Sequence, residues 1–301
     1  MDDFLQQTVN AISSGAIFAL FALGYALVFS VLGVLNLAHS ALFMWGAFIT
    51  LIVTDIWGWS ILIAFPMAMI GSGLISVALE FVAFRPLRRR NAARIAQLIS
   101  SIGAALLLVN LAQLLFIELY SDVQGFMPQD LIPNDPIVIE QPALRLSPVR
   151  IMILVLSLVV MISLNYMVQN TVLGQRMRAV AFKQDTAALL GINVGQVFWL
   201  TFFLAGMLAG AAGTFYALVF GTINPFIGQE IALLGLTAIV VGGMGSIRGA
   251  VLGGFLVAFI QVYTTSFIGS SYRDAIVFVL LFLILLVRPQ GILGQPESTR
   301  A

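Results

Sequence analysis

The chain has 301 residues, of which 60% are hydrophobic and 9% charged, and its net charge is +1. Soluble domains carry about 25% charged residues, so this composition excludes a water-soluble globular fold. A net charge of +1 says nothing about nucleic acid, and no nucleic-acid partner is expected. The absence of cysteine removes disulfides, thiolate catalysis and thiolate metal sites together.

A membrane-crossing helix needs roughly 20 apolar residues, and runs of that kind recur along the chain. Strands of a transmembrane barrel would alternate in polarity over about 10 residues, and Ile151–Met161 does not alternate. The expected fold is therefore all-α, a polytopic transmembrane helical bundle forming one domain over residues 1–301. Spans are expected near 9–32, 36–54, 60–84, 95–117, 149–168, 195–220, 231–246, 249–267 and 274–288. The segments near 36–54 and 231–246 are short or interrupted, so the count is eight or nine. The acidic start, MDDFLQQTVN, lacks the basic region of a cleavable signal peptide, so the first segment is expected to stay as a span.

Arginine and lysine orient the spans. Arg85–Arg94 holds five arginines, 169–196 holds Arg176, Arg178 and Lys183, and the tail holds Arg300. All three are expected in the cytoplasm. The loop 118–148, with Glu118, Asp122, Asp130, Asp135 and Glu140, is expected outside, as is the acidic N-terminus. Nine crossings satisfy these assignments, with the N-terminus external and the C-terminus cytoplasmic. Tyr25-Ala26-Leu27-Val28-Phe29 recurs as Tyr216-Ala217-Leu218-Val219-Phe220, in spans of opposite expected direction. Either an inverted internal repeat or chance in a Leu/Val/Ala/Phe-rich chain produces this. Short or broken spans in corresponding halves point to a transport route.

Residues 169–196 interrupt the hydrocarbon with a polar, mostly basic stretch. Leu173-Gly174 opens it, Gly191-Ile192-Asn193 closes it, and one helix of about 15 residues is expected between them. Lys183 is the only lysine in the chain. Met177, Val180, Ala181, Ala188, Leu189 and Leu190 give it an apolar set beside Arg178, Lys183 and Asp185, and Gly191 suits a helix stop. Such a helix either docks a soluble partner or lies on the membrane surface.

Gly33–Ser40 (GVLNLAHS) contains the only histidine. Polar groups at membrane depth face a bundle interior or a wet cavity. Asn36, His39 and Ser40 thus either mark a helix break lining a translocation route or form a turn that meets water at the membrane edge. Gln97, Ser100, Ser101, Asn110 and Gln113 recur at spacings of 3 or 4, either to bond a polar solute or to join helices. Glu230 reads as solvated. Gly206/Gly210 and Gly249/Gly253 have the small-xxx-small spacing of close helix packing.

No GxxxxGK[ST] run exists, and Phe182 precedes Lys183, so a P-loop is excluded. HExxH and GxSxG are absent too. No residue set supports an enzyme or a metal site.

Gly174–Asn193 (G-x-R-M-R-A-V-A…A-A-L-L-G-I-N) resembles the loop that ATP-binding-cassette importer permeases present to their ATPases. Gly24–Phe48, Val240–Gly254 (VVGGMGSIRGAVLGG) and Arg288–Gly294 (RPQGILG) resemble the branched-chain amino acid permease family of the LivH type. The resemblance covers nearly the whole chain. It implies a bacterial inner-membrane permease paired with a LivM-type permease, two ATPase subunits and an external solute-binding protein. No cofactor is implied on this chain, since ATP with magnesium belongs to the ATPases. It further implies that the loop carrying Gly174, Arg176, Arg178, Lys183, Asp185, Ala188 and Gly191 contacts the ATPase, while the polar positions Asn36, His39, Ser40, Gln97, Ser100, Ser101 and Gln113 are expected, from the reading of the residues above, to border the solute path. Relatives of this family carry branched-chain or broader neutral amino acids, urea or short amides.

Overall fold

Hydrocarbon offers no partner for a peptide N–H or C=O, so apolar runs of this length satisfy their backbone internally as helices. The structure is a computed structural model and describes residues 2–90, 92–128, 137–139 and 144–294. Asp130, Asp135, Glu140 and Arg300, which carry part of the orientation reading, lie outside the described residues.

The first half holds α1 (Asp2–Leu32), α2 (His39–Leu51), α3 (Ile61–Leu79), α4 (Arg85–Arg89) and α5 (Arg94–Tyr120). Wider π turns extend α2 over Ile52–Ile56 and join α3 to α4 over Glu80–Phe84. Next come α6 (Pro148–Asn170), α7 (Val172–Phe182) and α8 (Gln184–Leu189). The last part holds α9 (Val194–Phe220), α10 (Ile227–Gly242), α11 (Ile247–Phe267) and α12 (Arg273–Val287). Short strands β1 (Gly125–Phe126), β2 (Ile137–Ile139), β3 (Leu144–Leu146) and β4 (Thr222–Ile223) pair antiparallel, β1 with β4 and β2 with β3. Among the described residues, eight helical stretches are long and apolar enough to cross a membrane, and α10 is shorter.

Two expected boundaries move. The span placed at 231–246 is α10, four residues earlier. Asn224 starts it by accepting the Phe226 N–H on Oδ1 at 2.8 Å. Gly243 (φ 111°) and Gly245 (φ 84°) bend the chain where the span was expected to continue. The single helix expected between Gly174 and Gly191 is two, because Lys183 adopts an extended backbone (φ −159°, ψ 111°) between α7 and α8.

The YALVF recurrence marks a structural repeat. After the first copy α1 ends at Gly33 (φ 68°), whose N–H bonds Phe29 O at 2.8 Å. After the second, α9 ends at Gly221 (φ 71°), whose N–H bonds Ala217 O at 2.9 Å. Three residues beyond each glycine an asparagine folds the chain into the next helix. Asn36 Oδ1 accepts Ala38 N–H at 3.2 Å, as Asn224 Oδ1 accepts Phe226 N–H. The short helices α2 and α10 follow, and then α3 and α11. Packing obeys the same correspondence, since α1 lies along α11 and α9 along α3. The copies run in opposite directions. The start of α6 sits beside the start of α1, where Arg150 bonds Asn10, and α9 returns from the far end of α6 after α7 and α8.

Close approach along α9 depends on residues without side chains. A Cβ at Gly206 would lie 2.5 Å from Ser76 Cβ, and one at Gly210 would lie 2.7 Å from Ala68 O. At Gly213 it would strike the Phe43 carbonyl, and at Gly253 the Ala238 carbonyl. The small-residue spacings therefore do what was expected of them. Around these seams the core fills with large rings, including Phe21, Tyr25, Phe43, Phe48 and Phe215, all buried.

Candidate functional site

Between Gly33 and Ala38 the chain leaves the helix and doubles back beside α1. His39, the first residue of α2, thereby reaches Phe21, eleven residues before the end of α1. Its Nε2 is 3.2 Å from Phe21 O, and its ring centroid is 4.7 Å from that of Tyr25. The imidazole fits because position 24 is glycine: a Cβ there would lie 2.6 Å from Nε2. Asn36 and His39 are 1% and 0% exposed. The reading of this motif as a solvated turn at the membrane edge is therefore overturned, whereas the helix break is present.

The break is held on its other side by α5. Ser101 Oγ accepts the Leu37 N–H at 3.2 Å and donates to Leu98 O at 2.7 Å. Ser40 Oγ donates to Leu37 O at 3.0 Å, and the Ser40 carbonyl presses on Gly228 at the start of α10. The first turns of α2 and α10 thus abut inside the bundle. Among the described residues, Asn36 Nδ2, His39 Nδ1 and Tyr25 Oη are buried here without a hydrogen-bond partner. Each such group costs about 1–3 kcal/mol when left unsatisfied, so this buried centre holds three polar atoms with hydrogen-bonding capacity to spare.

The polar stripe of α5 does not stay together. Gln97 and Ser101 are buried, Ser100 is half-buried and donates to Ala83 O at 3.1 Å, and Gln113 is half-buried. Asn110 is exposed and bonds its own helix at Leu106 O. The reason is helical drift. At 3.6 residues per turn, positions 97 and 113 differ by about 160°, because nine residues separate Ser101 from Asn110. Gln97 and Ser101 face the break, whereas Gln113 and Asn110 do not share that face. Glu230 is exposed, as expected.

One feature was missed. Glu80, which reads in the sequence as a residue near a span end, is 1% exposed within the helical stretch Ile61–Arg89. Arg88 Nη2 pairs with its Oε1 at 2.5 Å, and the guanidinium lies 3.8 Å over the Phe198 ring on α9. The π turn Glu80–Phe84 widens the coil and brings residues eight apart onto one side. A glutamate inside an apolar run just ahead of an arginine cluster was the available signal.

At the same end of the bundle lies the α7–α8 segment. Thr171 Oγ1 caps α7 by accepting the Gly174 N–H at 3.2 Å. Gly174 is buried against the Val168 carbonyl, and the Arg178 guanidinium donates to that carbonyl at the end of α6. Met177, Val180 and Ala187 turn inward. Ala187 was not in the expected apolar set; Ala181 and Ala188 were, and both are exposed. Arg176, Lys183 and Asp185 are exposed as well. Gly191 (φ 82°) ends α8, donating to Ala188 O at 3.0 Å, as its stop signal implied. Leu189 and Leu190 stand 88% and 76% exposed at the tip. These two large apolar side chains stand at the end of α8, beyond the capped and clamped α7.

Among the described residues, no group of three or more His, Cys, Asp or Glu side chains is placed to hold a metal. A bundle of apolar spans with two inverted halves, abutting short helices and a projecting capped helix pair defines a polytopic membrane transport protein. The chain belongs to the branched-chain amino acid transport system permease component family, which matches residues 7–285. It is 34% identical to the high-affinity branched-chain amino acid transport system permease protein BraD of Pseudomonas aeruginosa, over 98% of this chain and 97% of that one. It is 32% identical to LivH of Escherichia coli K12, over 98% and 96%. A probable LivH of Methanocaldococcus jannaschii is 23% identical over 95% and 91%. No solved structure matches.

Proposed function

We propose that the chain is the permease subunit of an ATP-driven importer for branched-chain and other neutral amino acids in a bacterial inner membrane. The names of the BraD and LivH relatives support the solute class. The observation that carries the mechanism is the α7–α8 segment, with Leu189 and Leu190 presented to a partner and Arg178 and Gly174 fastening its root. Its arginine-rich end faces the cytoplasm by the positive-inside rule, with the N-terminus external and the C-terminus cytoplasmic. Two cytoplasmic ATPases hold the ATP and magnesium, a LivM-type permease completes the path, and an external receptor delivers solute.

ATP binding in the ATPase displaces α8, and α9, which follows it directly, carries the displacement into the bundle. Nucleotide drives the change only through unequal affinity for the two states. Solute passes where α2 and α10 abut, beside Asn36, His39, Ser40, Gln97 and Ser101, once those helix starts separate. The buried Glu80 argues against ion coupling, because Arg88 already neutralises it in place. Charge reversal at Arg178 combined with Gly191→Pro is expected to abolish ATP-dependent uptake while the subunit stays in the membrane. Unchanged uptake, or cross-links from Leu189 that never reach an ATPase, would defeat the proposal.

A further inference from the structure

The five arginines of 85–94 do not act alike. Arg88 turns inward to Glu80, whereas Arg85, Arg89 and Arg90 have no carboxylate partner among the described residues. With Phe81 and Pro86 they line a hollow of about 370 Å³ on the outside of the bundle. Arg85 lies 4.9 Å over the Phe81 ring, which places one guanidinium against an apolar wall. Phe81 and Val82 are 42% and 78% exposed and continue the apolar surface of the span above. The hollow therefore joins three arginines that have no carboxylate partner among the described residues to an apolar edge at Phe81, with Val82 exposed beside it.

We propose that this hollow binds the headgroup of an anionic phospholipid, with its phosphodiester on Arg85, Arg89 and Arg90 and its acyl chains along Phe81 and Val82. Guanidinium groups suit phosphate oxygens because they donate in pairs. Basic residues at the end of a span attract anionic headgroups, at about 1 kcal/mol per arginine. Free phosphate satisfies the arginines but draws nothing from Phe81 and Val82, so the rim selects a lipid. Arg88 takes no part, since its charge is matched by Glu80 and its guanidinium is stacked on Phe198. The site depends on membrane embedding alone and not on the solute or the motor.

Native mass spectrometry of the full chain released from membranes containing phosphatidylglycerol and phosphatidylcholine of matched acyl chains tests this directly. Phosphatidylglycerol is expected to be retained preferentially. The preference falls roughly five-fold for each arginine neutralised and roughly a hundred-fold in Arg85→Gln/Arg89→Gln/Arg90→Gln. The corresponding triple lysine variant keeps most of it, which separates charge from loss of fold. Phe81→Ala weakens lipid retention without creating phosphate affinity. An undiminished preference in Arg89→Gln and in the triple glutamine variant would overturn the proposal. Displacement of the lipid by millimolar inorganic phosphate would also overturn it, by assigning the arginines to a free anion.

Discussion

Replacing Arg88 with alanine strands Glu80 inside the bundle. The Glu80 side chain is 2% exposed and Arg88 is 22% exposed, so the pair is screened little by water. Removing one partner of a buried pair costs about 3–5 kcal/mol. Loss of the guanidinium over Phe198 adds about 1 kcal/mol. Thermal unfolding of the purified chain in detergent should therefore show a midpoint roughly 10 °C lower for Arg88→Ala. The neutral, volume-matched pair Glu80→Gln/Arg88→Met should stay within about 2 kcal/mol of the parent, because apolar or neutral replacement of a buried pair is often harmless. A double-mutant cycle isolates the coupling. If Arg88→Ala unfolds with the parent, or the neutral pair is as unstable as Arg88→Ala alone, the two side chains do not compensate each other and the reasoning fails.

Other perturbations separate contact from shape. Gly213→Val should lose at least about 2 kcal/mol of stability, by driving a side chain into the Phe43 carbonyl, whereas Gly103→Ala, with nothing within 4 Å of its new carbon, should gain about 0.5–1 kcal/mol; chemical unfolding of both reads the contrast. Leu189→Asp/Leu190→Asp should leave the stability within about 0.5 kcal/mol of the parent and still halt reconstituted ATP-dependent uptake. His39→Ala should destabilise by opening a cavity against Phe21 and Tyr25, while His39→Phe should recover stability but not uptake; recovery of both would make the histidine a packing residue only.

Much of the architecture was legible because hydrocarbon enforces it. Runs of apolar residues had only the helix available, and the two uncertain segments proved to be the short α2 and α10. The second YALVF copy was an ambiguous sign until the paired glycine and asparagine turns gave it geometry. Spacing misled in α5, since Gln97/Ser101 and Asn110/Gln113 are each neighbours at 4 and 3 while the nine residues between the two pairs carry Gln113 about 160° away from Gln97. It misled again at Glu80, because sequence distance to a span end does not reveal that a widened turn aims Arg88 back at it. The break at Lys183 had no turn residue to announce it. Burial of Asn36 and His39 was one of two readings, and the sequence alone did not choose between them. Only a chain that reverses beside α1 can take a polar motif from a helix end to Phe21.

The glycine seams of α9 have a mechanical corollary. Where backbone rests on backbone at Gly206, Gly210 and Gly213, no side chain can rotate to absorb strain. A 27-residue helix gripped this way is a push-rod about 40 Å long. On the proposed mechanism, a nudge at Val194 emerges at Phe220 as translation, and the joints that absorb it are the breaks at Lys183 and between Gly33 and Ala38.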